Sequence, residues 1–289
     1  MTRPPFTDCH VHLWDRTVPG LDYAWLDPTV DPVMGDVSAI QFERWDATDH
    51  LRDSRHAGTG KVVHVQAAGP PGDAVAETAW LEQQHQSHGL PDAIVARADL
   101  RAPDLSKTLD RHAAASGLLR GIRDMSSMGH LDDPDVLRGL RELERRDLVW
   151  DLACGWSEMP VAADLARACP GLRIALNHAG WPVERTDEYF ASWRTALFVL
   201  AAEPNVHCKI SGLGMADHEW SVASWRPWVQ TCLDAFGPER CVLGANWPVD
   251  RLFASYDAVV AAFAQLTDTL SPGDQRSLFT DNAARLYRV

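Results

Sequence analysis

The 289-residue sequence is poor in basic residues and has no long hydrophobic segment. It contains 27 Lys and Arg against 40 Asp and Glu, which gives a formal net charge of −13. Nucleic acids and anionic membranes bind concentrated basic faces, so this deficit argues against both and favours a small-molecule partner. No stretch of about 18 consecutive apolar residues occurs, which argues against a transmembrane helix.

Targeting and cysteine motifs are also missing. The opening MTRPPFTDCHVHLW lacks the apolar core and cleavage site of a signal peptide, so we expect a soluble cytoplasmic protein. The six cysteines show no CxxC or zinc-finger spacing, and several lie in apolar runs. This predicts reduced cysteines that pack in the core, with a nucleophilic Cys154 or Cys208 as the alternative.

Short β-rich runs alternate with longer helical patterns along almost the whole chain, as is typical of a parallel α/β fold. No GxGxxG follows the first run and no P-loop occurs, which argues against the alternative, a doubly wound open sheet. The runs cover residues 5–13, 61–68, 93–100, 118–125, 148–154, 172–179, 206–213 and 240–246.

Helical segments separate these runs and predict an α/β fold of the (β/α)₈ TIM-barrel type, with one domain over residues 1–289. The segments cover residues 73–88, 104–115, 133–146, 159–168, 187–202, 221–235 and 254–269, and a final helix is predicted over 271–288. The composition, with 46% hydrophobic residues, suffices for a large core.

The connection between the first two runs, residues 15–60, is far longer than a usual βα connection and predicts an active-site loop. It carries Trp25 and Trp45 with an acidic run at Asp46 and Asp49. The tryptophans are interpreted either as an aromatic wall of the pocket or as packing anchors for the loop.

Catalytic groups of a barrel come from the carboxyl ends of its strands, which directs attention to the histidines at these positions. Asp8, His10 and His12 alternate along the first run and therefore share one face. Two such imidazoles can bind one divalent metal or one polarised substrate oxygen, and Asp8 is positioned to fix their tautomers. His178 ends the sixth run and is predicted to face the same space, as a third ligand or a general acid.

Four further polar residues late in their runs are predicted to bind substrate. Arg123 offers a planar cation for a carboxylate or carbonyl oxygen, and Lys209 offers a second cation. A structural ion pair with a barrel aspartate is the alternative for both. His64 and Gln66 share one face of the second run and are predicted substrate contacts.

Five ordered segments resemble the amidohydrolase-related family of sugar-acid and dicarboxylate lactonases, over nearly the whole chain. The resemblance implies a distorted TIM barrel that hydrolyses a lactone, similar to L-fuconolactone, L-rhamnonolactone, 2-pyrone-4,6-dicarboxylate and sulfomuconolactone hydrolases. The segments are the DCHVHLW opening, NHAGWP, KISGL, GANWPVD and the closing NAARLY.

One departure from the family pattern affects the mechanism. Members commonly end the eighth strand in GSDWP, whose aspartate activates water, whereas this chain has Asn246, and a carboxamide cannot accept a proton at neutral pH. We treat Asn246 as natural and catalytic, with an inactivating substitution as the alternative. The base is then Asp250, a histidine such as His178, or metal-bound water. Trp247 is assigned to substrate binding.

We predict one divalent metal ion as the cofactor, with Zn²⁺ as the first candidate and His10, His12 and His178 as its ligands. Metal-independent activity is the alternative. The predicted partner is a lactone or carboxylate, and a homo-oligomer stays open. Two other functions are considered. The first is a metal-dependent decarboxylase, which needs a metal-binding carboxylate, so Asn246 argues against it. The second is a non-catalytic binding barrel, which would explain Asn246 directly.

Overall fold

The computed structural model describes residues 4–289, and eight parallel strands form one sheet in the order of the chain. The last strand returns to the first at the carboxyl end, where the amide of His12 donates to the carbonyl of Trp247 at 2.7 Å. The strands are β1 (Phe6–Val11), β2 (Thr59–Val65), β3 (Ala93–Arg97), β4 (Leu119–Arg123), β5 (Val149–Leu152), β6 (Ile174–Leu176), β7 (Val206–Ile210) and β8 (Cys241–Leu243).

Helices between the strands cover the barrel, which explains why most strand residues are buried. They are α1 (Ala47–Ser54), α2 (Ala74–His88), α3 (Leu105–Ala115), α4 (Pro134–Arg145), α5 (Met159–Ala168), α6 (Asp187–Ala201), α7 (Val222–Phe236), α8 (Tyr256–Leu266), α9 (Pro272–Arg276) and α10 (Asn282–Tyr287). The predicted (β/α)₈ barrel is confirmed, and α2 to α8 end within a few residues of the predicted segments. A π-helical turn, Ser277–Asp281, joins α9 to α10.

The long connection after β1 is more ordered than its length suggests. Two short antiparallel pairs lie in it, Trp14–Asp15 with Arg44–Trp45, and Val30–Asp31 with Gly35–Asp36. The helix α1 follows, which the sequence did not reveal. The acidic run explains this helix, because Asp46 and Asp49 form its capping box and do not line the pocket.

The cysteines lie in the packed interior, as the sequence predicts. Within residues 4–289, all six cysteines are buried and unpaired, as packing residues would be. Among the same residues, no helix is long and apolar enough to cross a membrane. Trp45 is also a packing residue, since its ring stacks on Phe42 at 5.2 Å and is 2% exposed.

Candidate active site

The paired histidines of β1 and the histidine after β6 meet at the carboxyl end of the barrel. The ring centroids of His10 and His12 lie 4.9 Å apart, and those of His10 and His178 lie 4.3 Å apart. All three side chains are buried. The structure therefore brings together the three imidazoles that the sequence placed on two separate strands.

Two of these rings are oriented by hydrogen bonds at Nδ1. His12 Nδ1 lies 2.8 Å from the carbonyl oxygen of Val65, so in the neutral ring Nδ1 carries the proton and Nε2 keeps its lone pair. His178 Nδ1 lies 2.9 Å from Ser211 Oγ. Hydrogen bonds at Nδ1 leave both Nε2 atoms free for a ligand, the arrangement by which outer partners orient a catalytic imidazole.

The backbone around His178 is unusual and holds the ring in place. His178 has φ +51°, a left-handed backbone conformation that residues other than glycine rarely adopt. Gly212 packs against it with φ +61°, and a Cβ there would lie 2.5 Å from His178 Nδ1. The KISGL segment therefore needs glycine at this position, because any side chain would displace the imidazole.

Arg123 at the end of β4 is anchored by Gln66 at the end of β2. Its Nε donates to Gln66 Oε1 at 2.6 Å and its Nη2 to the Gln66 carbonyl at 2.6 Å. Nη1 lies 3.4 Å from His10 Nε2. Burial lowers the pKa of Arg123 to about 10, so the guanidinium stays charged at neutral pH. The guanidinium is thus a rigid cation beside the histidines.

Burial also determines the charge of the imidazoles. It lowers the pKa of His10, His12 and His178 well below the usual value, and Arg123 lowers all three further. The rings are therefore neutral at neutral pH, which is the form that accepts a proton or a hydrogen bond.

Asn246 and Asp250 form a pair after β8. Asn246 Nδ2 donates to Asp250 Oδ1 at 2.8 Å, and both side chains are about 1% exposed. Burial raises the pKa of Asp250 to about 7, and the Asp8 carboxylate adds to the rise. Asn246 has φ +53°. The carboxamide lines the cavity described below, and Asp250 fixes its orientation by accepting from Nδ2.

A cavity of about 410 Å³ opens above these groups. Its floor is polar and comes from strand ends, and its wall is apolar and comes from the loops above them. The floor consists of His12, Gln66, Arg123, His178 and Asn246. The wall consists of Trp25, Met34, Met125, Trp181, Met215 and Val249.

Known proteins of similar sequence and fold identify the family. A family model described as amidohydrolase matches residues 7–289. The chain belongs to the amidohydrolase family. It is 31% identical to an L-fucono-1,5-lactonase of Burkholderia multivorans over 98% of this chain and 95% of that protein. It is 39% identical to an uncharacterized protein of Sinorhizobium fredii over 98% of both. A crystal structure of a Burkholderia multivorans amidohydrolase with bound zinc superposes with a TM-score of 0.84, at 29% identity and 99% coverage of both chains.

Zinc in that relative raises the question of whether a metal fits this amidohydrolase. The lone pair of His10 Nε2 faces Arg123 Nη1, and Asp151 and Asp250 are engaged by other side chains. Across residues 4–289, no three His, Cys, Asp or Glu side chains form a group that could hold an ion. The donor set does not fit a divalent ion as arranged here, and ligation by His10, His12 and His178 stays a prediction.

Three residues predicted to bind substrate lie away from the cavity, namely Lys209, His64 and Trp247. Lys209 is fully buried in an ion pair with Asp151, which also accepts from Tyr287 Oη at 2.9 Å. His64 is fully buried, and its Nδ1 accepts from the amide of Leu13 at 3.2 Å.

Trp247 and Asp8 hold the barrel together instead of facing the cavity. The Trp247 indole donates to Asp53 at 3.3 Å, and its main chain closes the sheet against β1. Asp8 does not fix the histidine tautomers. Its Oδ1 accepts from the amides of Ala245 and His10, and its Oδ2 accepts from Tyr256 at 2.9 Å. Asp8 thus fastens β1 to the segment after β8.

The sequence places Ser211 among the polar residues at strand ends but gave it no role, and it did not reveal that Ser211 orients His178 or that most of the wall residues face the cavity. Ser211 directly follows β7, so its place at a strand end was the available signal. Trp181 lies within the NHAGWP segment and was not assigned a role. The loop residues of the wall gave no signal, because loops have no periodicity that predicts which side chains turn inward.

Proposed function

We propose that this amidohydrolase opens a lactone ring by attack of water on the ring carbonyl. The observation that carries the proposal is one cavity in which a fixed guanidinium lies beside neutral imidazoles. Sugar-acid lactones are the first substrates to assay, because relatives at 31% and 24% identity are named L-fucono-1,5-lactonase and L-rhamnono-gamma-lactonase. The second of these covers only 55% of this chain.

Arg123 is the group that stabilises the developing negative charge on the carbonyl oxygen. Its contacts to Gln66 occupy Nε and one N–H of Nη2, which leaves N–H groups on Nη1 and Nη2 for a substrate oxygen. The two contacts to Gln66 fix the guanidinium plane before substrate arrives. A preorganised donor of this kind in a buried site is worth more than it would be in water.

His178 is the proposed proton acceptor for the attacking water. In the tautomer that this role requires, Nδ1 donates to Ser211 Oγ and Nε2 keeps the lone pair that takes the proton. The low pKa of His178 keeps the ring neutral before the reaction. Negative charge developing beside Arg123 then stabilises the imidazolium that forms, and the same proton can be returned to the leaving alkoxide.

Asn246 and Asp250 act together on the water. Because Nδ2 of Asn246 donates to Asp250, the carbonyl oxygen of the carboxamide is left to accept a hydrogen bond in the cavity. We assign to it the orientation of the nucleophilic water. Asp250 lies behind Asn246 and is a positioning residue in this scheme, so it needs no movement into the cavity.

Proton release from a panel of lactones tests the proposal with wild-type protein, His178→Asn and His88→Ala. Asparagine tolerates the left-handed backbone at position 178 but cannot accept the proton, so we expect kcat/KM to fall about 10²–10⁴-fold. His88 is exposed on α2, and its replacement should leave turnover unchanged. A protein that opens no lactone would contradict the proposal. CO₂ release from unsaturated acids, or binding without turnover, would then identify the decarboxylase or the binding barrel.

A further inference from the structure

We infer that the preferred lactone is uncharged and carries an apolar substituent that packs against the wall. The inference rests on the proposed function and narrows it. It follows from three features of the cavity: the chemistry of the wall side chains, the engagement of main-chain groups near them, and one carboxylate at the loop hairpin.

The wall offers apolar contact from five separate connections. Trp25 and Met34 come from the loop after β1, and the other four members follow β4, β6, β7 and β8. Three of the six are methionines, whose flexible thioethers adapt to apolar groups of different shape. Two are tryptophans, with large flat apolar faces. An alkyl or aryl substituent above the lactone ring would be desolvated on several sides.

Three main-chain carbonyls near the cavity already accept a hydrogen bond from a side chain. The carbonyl of Ala67 accepts from Trp25 Nε1 at 2.8 Å, and the carbonyl of Ala68 accepts from Gln66 Nε2 at 3.1 Å. The carbonyl of Met215 accepts from His218 Nε2 at 3.0 Å. Hydroxyl groups pointing at this wall would lose water without gaining equivalent partners, which is unfavourable for a polyhydroxylated substrate.

Charge selection comes from Asp31 in the short hairpin of the first loop. Its Oδ1 accepts from the amides of Val33 and Met34, both at 2.8 Å, which fixes the carboxylate at the edge of the cavity. Asp31 is the one carboxylate among the described residues that line the cavity. A free carboxylate on the lactone would be repelled here, so Asp31 disfavours lactones that carry one or more carboxylates.

The first experiment compares three lactones with wild-type protein: δ-decalactone with its pentyl chain, D-glucono-1,5-lactone with its hydroxyl groups, and paraconic acid with its carboxylate. We expect kcat/KM for δ-decalactone to exceed both others by about tenfold or more. An equal or higher value for D-glucono-1,5-lactone overturns the inference and leaves the proposed function intact. If none of these lactones and none of the sugar-acid panel is opened, the proposed function itself fails.

The second experiment changes the wall. Met34→Gln keeps the length of the side chain but adds polar atoms, so kcat/KM for δ-decalactone should fall about tenfold. Unsubstituted δ-valerolactone, which does not reach the wall, should change less than about twofold. Met128→Gln is the matched control, because Met128, like Met34, is a partly buried loop methionine but does not line the cavity. An equal loss on both lactones, or an equal loss in the control, would contradict the role of the wall.

The third experiment changes the charge of the cavity. Asp31→Asn keeps the acceptor for the two amides and removes the negative charge. Turnover of paraconic acid should rise severalfold relative to δ-decalactone. No change in this ratio would show that Asp31 does not select against charged lactones.

Discussion

The floor and the wall of the cavity are built in different ways. Floor side chains sit at strand ends, and Arg123 is fastened by Gln66 in the same way that His178 is fastened by Ser211. Wall side chains come from loops and are apolar, and Met34 and Trp25 are only partly buried. The barrel thus fixes the groups to which we assign the chemistry, while its loops carry the surface that we expect to distinguish substrates.

The electrostatic properties of the two regions differ as well. Arg123 keeps its charge in the floor, and the imidazoles around it stay neutral because burial and that charge lower their pKa. The wall side chains are apolar, and Asp31 beside them is the one carboxylate among the described residues that line the cavity. Changes in the floor should therefore alter the chemical step, and changes in the wall should alter the choice of substrate.

The largest effect should come from the floor, in Arg123→Lys. Lysine is a point charge that cannot reproduce both contacts to Gln66 and present donors to the carbonyl oxygen at the same time. We expect kcat/KM for any good lactone to fall about 10²–10³-fold, the loss typical of a missing oxyanion donor. Steady-state proton release measures it. Arg120→Lys on the same strand is the control, and wild-type kinetics in Arg123→Lys would make the residue structural.

Asp250→Asn should show that the buried carboxyl behind Asn246 costs stability. Burial raises the pKa of Asp250 to about 7, so the folded state holds a proton that the unfolded state has lost above about pH 4. Stability from this group is present at low pH and is lost as pH rises through 7. Relative to wild type, Asp250→Asn should gain roughly 2 kcal/mol of unfolding free energy between pH 5 and pH 8.

Urea unfolding at both pH values measures this gain, which corresponds to about 30-fold in the unfolding constant. Asp268→Asn, at an exposed position, should show no such dependence on pH. A pH-independent difference between Asp250→Asn and wild type would mean that the Asp250 carboxyl titrates normally.

Asn246→Asp would place a second carboxylate against Asp250. The existing pair is an amide that donates to a carboxyl at 2.8 Å, and two carboxylates at that distance must share a proton. We expect turnover at neutral pH to fall on the order of tenfold, about what one unit of pKa perturbation represents. The exchanged pair, Asn246→Asp with Asp250→Asn, should recover part of the loss. A strong gain in Asn246→Asp alone would show that the position is an inactivating substitution.

The floor was largely predictable from the sequence, for a physical reason. Residues two apart on a strand share a face, which placed His10 and His12 together, and parallel strands end at one edge, which placed Arg123 and His178 near them. Lys209 looked equally suitable by the same rule. It lies at the same barrel axis but pairs with Asp151, and a strand pattern does not report how deep a side chain lies.

The wall and the first loop were not predictable in the same way. The helix α1 spans only eight residues, Ala47–Ser54, with few apolar side chains, and the acidic run before it was not recognised in the sequence as a capping box. Trp25 and Trp45 are indistinguishable in the sequence, yet one lines the cavity and the other packs on Phe42. Contacts between distant residues decide such cases: the Trp25 indole donates to the carbonyl of Ala67, which the sequence does not reveal.

His218 links two of the loops that form the wall, and we expect its replacement to have the smallest effect on turnover. Its Nε2 lies 2.9 Å from the Val33 carbonyl in the hairpin and 3.0 Å from the Met215 carbonyl after β7. The ring stacks on Phe253 at 4.7 Å. The imidazole thus holds the hairpin that carries Asp31 and Met34 over the cavity, without touching the floor.

His218→Phe keeps an aromatic ring for the stack and removes the donor. Because one neutral hydrogen bond contributes about 1 kcal/mol, KM for δ-decalactone should rise about three- to fivefold, while kcat stays within about twofold. His218→Gln retains a donor and should restore much of the lost affinity. A fall in kcat equal to the rise in KM would mean that the hairpin acts on the chemical step, and the separation between a catalytic floor and a selective wall would then fail.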